Sequence, residues 1–472
     1  MQKVAIVLNK EQIESFLQNH PSNENQKHLF LDLSGVSTTD YKRLLRAGLE
    51  EIGVRENQLL DPSTFIRSYV NLIGSLGRRH NSKAWWATNV ASKNRISSKL
   101  PTLLFQYIKC AKVIKSTDYN SLLIIAPDPL LFQPLRSLIR GEKQISVSIR
   151  PFIDIAYSSG ILDFCRKVQL VRIRIRKRIS FFKGVTRQSV LLIKTISFLK
   201  KAYNARSFDL LNKDIKYIII KTHAYLSSFS SDGGEFSDPF FGRLPRFLAE
   251  TKNTISLLHL HGDYEKIIRN INECNGQILV PWEYFLTRRQ VVGTALKLVF
   301  WRTQIKPVYL DDVDVSPVIL AELQRSRFSL SSYLFYDSVK NLSRRIRIEK
   351  FFYTYENIPW ERMAILALRK YSPKTRIVGY QHSIVPQAET GVFVNEDEIN
   401  VGPLPDKILT VGEITSKIIN RYSNFSNGIV EPSCALRYEY LFKYKLKDRT
   451  NSGNILLVLE GALSVVKMVN YV

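Results

Sequence analysis

An α/β fold built on parallel strands is what this 472-residue sequence predicts. Two observations carry the prediction. Short apolar runs alternate with helical patterns along most of the chain, which is the signature of βαβ units. Polar residues also cluster where several apolar runs end, and in open parallel sheets the carboxyl ends of strands form the ligand crevice. The length suffices for two or three domains with substantial cores.

Taken in order, residues 4–8 and 28–33 read as strands and 39–52 as a helix. Residues 103–114 read as a helix, 121–126 as a buried strand, and 130–139 as a helix after the turn Pro127-Asp128-Pro129. The pattern then breaks at residues 161–206, which hold thirteen Lys or Arg and a single acid, Asp163. Val168, Val171, Ile175, Ile179 and Phe182 fit one helical face there. The Arg–Ile alternation over 172–176 also permits a strand, but the length of the stretch and its shortage of turn residues favour a helix. Strands resume at 215–221 and 254–260, separated by a long polar loop over 227–244, and 284–301 reads as a long helix. A loop of that length inside a compact domain is functional or disordered. Residues 351–355, 376–380 and 407–411 complete the strand pattern, with helices over 360–369 and 414–422. Residues 454–461 read as a strand and 463–472 as the start of a helix. One strand and part of a helix cannot make a core, so the strand joins the preceding sheet or the chain is the front of a longer protein.

Charge narrows the partners. The formal net charge is +26, which favours polyanions, either nucleic acid or an anionic membrane. Residues 161–206 carry nearly half of that excess and admit three readings: a basic amphipathic helix on an anionic membrane, a nucleic-acid contact, or a solvated helical hairpin. The membrane reading is preferred to nucleic acid because no stacking platform or nucleic-acid motif accompanies the charge. The N-terminus has no signal-peptide h-region, and no run approaches the ~18 apolar residues of a spanning helix. A soluble or membrane-peripheral protein is expected. Four scattered cysteines at 110, 165, 274 and 434 show no metal or redox spacing and suggest a reducing cytoplasm.

No Walker loop, Gly-x-Gly-x-x-Gly, His-Glu-x-x-His or Gly-x-Ser-x-Gly element is present, which argues against the common hydrolase, dehydrogenase and zincin chemistries. The informative stretch is 353–386. If its strands are parallel, Glu356, Asn357, Glu361, Gln381 and His382 converge on one cleft. A neutral imidazole near pH 7 can take a proton from an attacking hydroxyl, so His382 is the candidate base; the alternative is a strand-end histidine satisfied by its neighbours. Glu356 and Glu361 orient that histidine or bind a sugar hydroxyl, or else they cap the helix that Pro359 begins. His259 and His261 point the same way from one strand, but no third metal ligand is identifiable, and neither metal nor cofactor is expected. Trp85 and Trp86 with Thr88, Ser92, Lys93 and Asn94 form a second polar–aromatic cluster, or a helix end packed by tryptophans. Arg437 and Tyr438 follow a strand and reach the same cleft, or stand on an exposed loop.

The runs Tyr-Glu-Asn-Ile-Pro-Trp-Glu-Arg, Gly-Tyr-Gln-His-Ser-Ile-Val-Pro, Leu-Pro-Asp-Lys-Ile-Leu-Thr-Val-Gly and Cys-Ala-Leu-Arg-Tyr resemble bacterial surface-carbohydrate biosynthesis proteins. So do the loop Asp-Pro-Phe-Phe-Gly and the Trp86/Ser92-Lys93-Asn94 cluster. These families look like glycosyltransferases of the GT-B architecture, with two Rossmann-like lobes facing a cleft. The resemblance implies transfer of a sugar from a nucleotide-sugar donor to a glycan or lipid-linked glycan acceptor, such as lipopolysaccharide or capsule. It places the base role on His382, and Trp360, Tyr380, Ser383 and Tyr438 fall within its motifs as further substrate contacts. It also implies a donor lobe that has barely begun, giving the division 1–160, a basic helical insertion 161–206, an acceptor-side region 207–450 and an incomplete second lobe 451–472. A cytoplasmic protein, peripheral at the inner membrane face through 161–206, is expected. The alternative is a non-catalytic membrane- or glycan-binding module of a polysaccharide assembly complex.

Overall fold

The computed structural model describes residues 3–8, 12–19, 28–33, 37–52, 61–116, 121–126, 128–141, 145–149, 161–205, 208, 211–230, 234–325, 329–386 and 388–443. The strand and helix expected over 454–472 lie outside the described residues. Contacts group Met1–Arg437 into one unit and Tyr438–Val472 into a second. Of the second, residues 438–443 are described, as the end of a short 3-10 segment.

Five parallel strands make the first sheet: β1 (Lys3–Leu8), β2 (His28–Asp32), β3 (Glu50–Glu51), β4 (Ser121–Ile125) and β5 (Ile145–Ile149), in the order β3-β2-β4-β1-β5. The helix expected over 39–52 is shorter, Thr38–Arg46. Gly48 follows in the left-handed region at φ +76°, a conformation that terminates helices and that glycine adopts without steric penalty. The chain then pairs β3 with β2. A further helix, Pro62–His80, starts with an Asp61 side-chain cap and proline in its first turn. The basic stretch is one continuous helix, Ile161–Ala202, and not a strand. Its apolar face at 168–179 lies among side chains outside the described set.

The second sheet has seven parallel strands. β6 (Lys216–Ala224), β7 (Thr254–Leu260) and β8 (Ile278–Pro281) come first. A two-residue hairpin intervenes, β9 (Tyr309–Leu310) and β10 (Val313–Asp314), turning through Asp311 and Asp312 at φ +49° and +58°. Then come β11 (Arg347–Thr354), β12 (Arg376–Gln381), β13 (Lys407–Thr410) and β14 (Val430–Pro432). The order β14-β13-β12-β11-β6-β7-β8 is that of doubly wound, Rossmann-like sheets with one strand added. In place of the single helix expected over 284–301 there is a 3-10 turn, Trp282–Phe285, and a helix, Arg288–Phe300, opened by a Thr287/Gln290 capping box.

Both faces of this sheet are buried, as a parallel sheet requires. Tyr217, Ile219, Ile255, Leu257 and Tyr353 belong to the main core, while Ile218, Ile220, Phe241 and Tyr380 form a smaller cluster. Alternation along β6 therefore sends Lys221 and His223 to the main-core side, and Thr222 to the side of Phe241.

Candidate functional site

The chain runs β6, β7, β8 to one edge, then returns to β11 beside β6 and proceeds the other way. The switch point lies between the carboxyl ends of β6 and β11, where sheets of this kind open a crevice for ligands. Four of the seven histidines in the sequence gather along that carboxyl edge: His223, His259, His261 and His382.

Register explains the gathering. His223 pairs with His259 across β6 and β7, and His261 lies two residues further along. His223 Nδ1 and His261 Nε2 share a hydrogen bond of 2.7 Å. His261 stacks on Tyr225 at 4.7 Å, and His259 lies parallel to Trp282 at 6.0 Å. Phe240 bridges from this group to β12, its ring edge-on to His223 at 5.3 Å and to His382 at 4.7 Å. Asp238 holds Phe240 there: its Oδ1 accepts from Thr222 Oγ1 and from the backbone N–H groups of Phe240 and Phe241. Asp238 thus ties the described part of this loop to β6, and Arg437 lies over the Phe240 ring at 5.4 Å.

Electrostatics keep these imidazoles neutral. Burial lowers His382 to about 4, assisted by the positive charge of Arg437. Burial and then Lys221 lower His259 to about 3 and push His223 far down. Lys221 is itself buried, which lowers it to about 7; its Nζ donates to the Thr222 carbonyl and lies 4.6 Å from the Trp360 ring centroid. Two buried carboxyls interact with its charge: burial raises Glu283 to about 7 and Asp238 to about 6. His382 Nδ1 and Gln381 Oε1 are buried without a protein hydrogen-bond partner. His382 Nε2 is 3.8 Å from Glu356 Oε1, a gap that a hydroxyl oxygen to one side can bridge. Burial and the charge of Glu389 raise Glu356, although 44% of its side chain remains exposed.

The other sequence candidates fall into place around this edge. Glu361 is buried and accepts the backbone N–H groups of Glu356 and Asn357, fixing the turn from β11 into the helix Pro359–Tyr371. Asn357, at φ +57°, donates to the Gly391 carbonyl and accepts from Arg362 Nε. Both thus build the turn that presents Glu356. Tyr380 donates its hydroxyl to the Cys434 carbonyl and accepts from the Leu436 N–H, anchoring the segment before Arg437. Ser383 accepts from Gln381 Nε2. Trp360 packs edge-on to Phe335 and Tyr353 beneath Lys221. Tyr438 begins the second unit. Trp85, Trp86, Thr88, Ser92, Lys93 and Asn94 are buried, and Lys93 joins Arg362 in clasping Glu398, so this cluster is packing between elements.

Lys221, His223, Phe240 and Glu283 went unassigned by sequence reasoning. The signal was present for two of them: Lys-Thr-His closes the apolar run of β6, as Gln-His closes β12. Among the described residues no group of three or more His, Cys, Asp or Glu is arranged to hold a metal ion. No family model matches the sequence, and neither a curated protein nor a solved structure matches it.

Proposed function

We propose that this chain is a glycosyltransferase of GT-B type, or the acceptor-binding half of one. It moves a sugar from a nucleotide-sugar donor to a lipid-linked surface glycan such as lipopolysaccharide or capsule. The observation that carries the reading is a neutral, buried imidazole, His382, beside Glu356 at the switch point of a doubly wound sheet. Glycosyl transfer needs an acceptor hydroxyl deprotonated as it attacks the anomeric carbon; the C–O bond to the nucleotide breaks and the nucleotide phosphate leaves with the electron pair. His382 Nε2 takes that proton, Glu356 aligns the hydroxyl, and Gln381, Ser383 and Arg437 shape the cleft. Tyr225 and His261 offer an aromatic surface at its mouth. In this reading the protein works in the cytoplasm at the inner membrane face, held there by its basic helix. No helix among the described residues is long and apolar enough to cross a membrane.

The test is transfer of label from a panel of nucleotide sugars to a membrane glycolipid extract. His382→Ala is expected to lower turnover by ~10²–10⁴-fold with the melting temperature little changed. Turnover within threefold of wild type refutes the assignment, and glycan binding with no transfer by either protein favours the non-catalytic module.

A further inference from the structure

The helix Arg288–Phe300 is apolar on two opposite faces. Val291, Thr294 and Leu298 are buried against the protein. Val292, Leu296 and Phe300, spaced by four, form a stripe on the other side and are 48%, 53% and 76% exposed. Water does not favour such a stripe, and three large apolar residues in line on a surface mark a contact site.

Its neighbour is the basic helix. Arg288 Nη2 donates to Ser197 Oγ at 2.9 Å, while at the other end Phe300 and Phe182 line one cavity. The two helices therefore lie antiparallel, side by side. The cavity has a volume of about 470 Å³, and Trp301, Leu320 and Leu323 complete its apolar wall, with Arg302 also lining it. Phe182 is 54% exposed. Across 181–205 and 288–306 the sequence carries ten lysines and arginines and no carboxylate. Lys183, Arg187, Lys194, Arg289, Lys297 and Arg302 are exposed.

We propose that these two helices form one docking face for an anionic lipid bilayer, and that the cavity between Phe182 and Phe300 takes a hydrocarbon chain of a lipid. Apolar side chains that enter the headgroup boundary, ringed by cations that meet anionic headgroups, are the composition of an interfacial anchor. Charge complementarity selects the occupant: a second copy of this chain would bring ten more cations to the same face. The inference deepens the transferase reading, on which it rests for the membrane as source of the acceptor. It adds to the basic amphipathic helix an apolar stripe contributed by a second helix outside 161–206.

The experiment is co-sedimentation of the full chain with vesicles of phosphatidylcholine, with and without phosphatidylglycerol, across a salt series. Wild type is expected to bind the anionic vesicles, more weakly as salt rises but still measurably. The triple variant Val292→Ser, Leu296→Ser, Phe300→Ser keeps every charge, and unchanged circular dichroism and melting show that it folds. It is expected to lose about tenfold or more in vesicle affinity. Equal binding by the variant overturns the proposal, as does a wild-type dimer that the serines convert to monomer. Tighter binding to duplex DNA, unmoved by the serines, assigns the charge to nucleic acid and also overturns it. Transfer to a water-soluble acceptor fragment separates the two readings. The triple variant keeps that transfer while losing vesicles, whereas His382→Ala loses the transfer and keeps vesicle binding.

Discussion

His382 and Asp238 illustrate how burial sets the chemistry of single residues at this edge. An ordinary imidazole is half protonated near pH 6.5, but His382 is lowered to about 4 by burial and by Arg437. In the proposed transfer it acts as base in its neutral form. The acid limb of kcat/KM is therefore expected near pH 4, and a pH–rate profile checks it. Arg437→Gln removes the smaller cause, so it is expected to move the limb up only part of the way toward 6.5, because burial is the larger cause. Asp238 is shifted the other way, up to about 6 by burial. A carboxyl raised above its unfolded value contributes stability that is full below about pH 4 and lost as pH rises through about 6. Asp238→Asn keeps an acceptor for Thr222, Phe240 and Phe241, so unfolding free energies of this variant are expected to fall less than wild type between pH 4 and 6.

At the scale of elements, the site is held by junctions remote from it. Glu398 receives Lys93 from the short helices after residue 82 and Arg362 from the helix behind Glu356. Burial opposes its ionisation, yet those two cations hold it below the ordinary carboxylate range. Glu398→Gln leaves two buried cations poorly compensated, and a loss of about 3–5 kcal/mol is expected by denaturant unfolding. The helix Pro62–His80 meets the same region through Gly74, where a Cβ would lie 1.8 Å from Asn395 Oδ1. Asn395 caps the helix Glu396–Val401 through the Glu398 N–H. Gly74→Ala must displace that cap, and a cost of about 1–3 kcal/mol is expected from a thermal melt. Sequence periodicity found most strands because β-branched and aliphatic runs bounded by polar residues have one use in a buried sheet. It overextended the helix 38–46 and fused 282–285 with 288–300. Those boundaries depend on Gly48 in a left-handed turn and on the Thr287 capping box, and an apolar pattern continues across both.

For the whole molecule, the order of strands decides where function resides. Sequence reasoning brought Glu356, Gln381 and His382 together on the assumption that β11 and β12 are parallel, and they are. It could not place His223 beside His259, or Phe240 between His223 and His382, because those neighbours arise from pairing β6 with both β7 and β11. Asn357 and Glu361 have the residue types of a ligand site and the contacts of a structural turn; only the hydrogen bonds separate the two. The central claim is that acceptor binds at this one edge, with His382 taking the proton. Nitrogen-15 NMR of the seven histidine rings, recorded as membrane glycolipid extract is added, tests it most directly. The account predicts that His382 shifts together with His223, His259 and His261, while His80, packed on Trp85, stays still. Saturable glycolipid binding that leaves the His382 ring unmoved would contradict it.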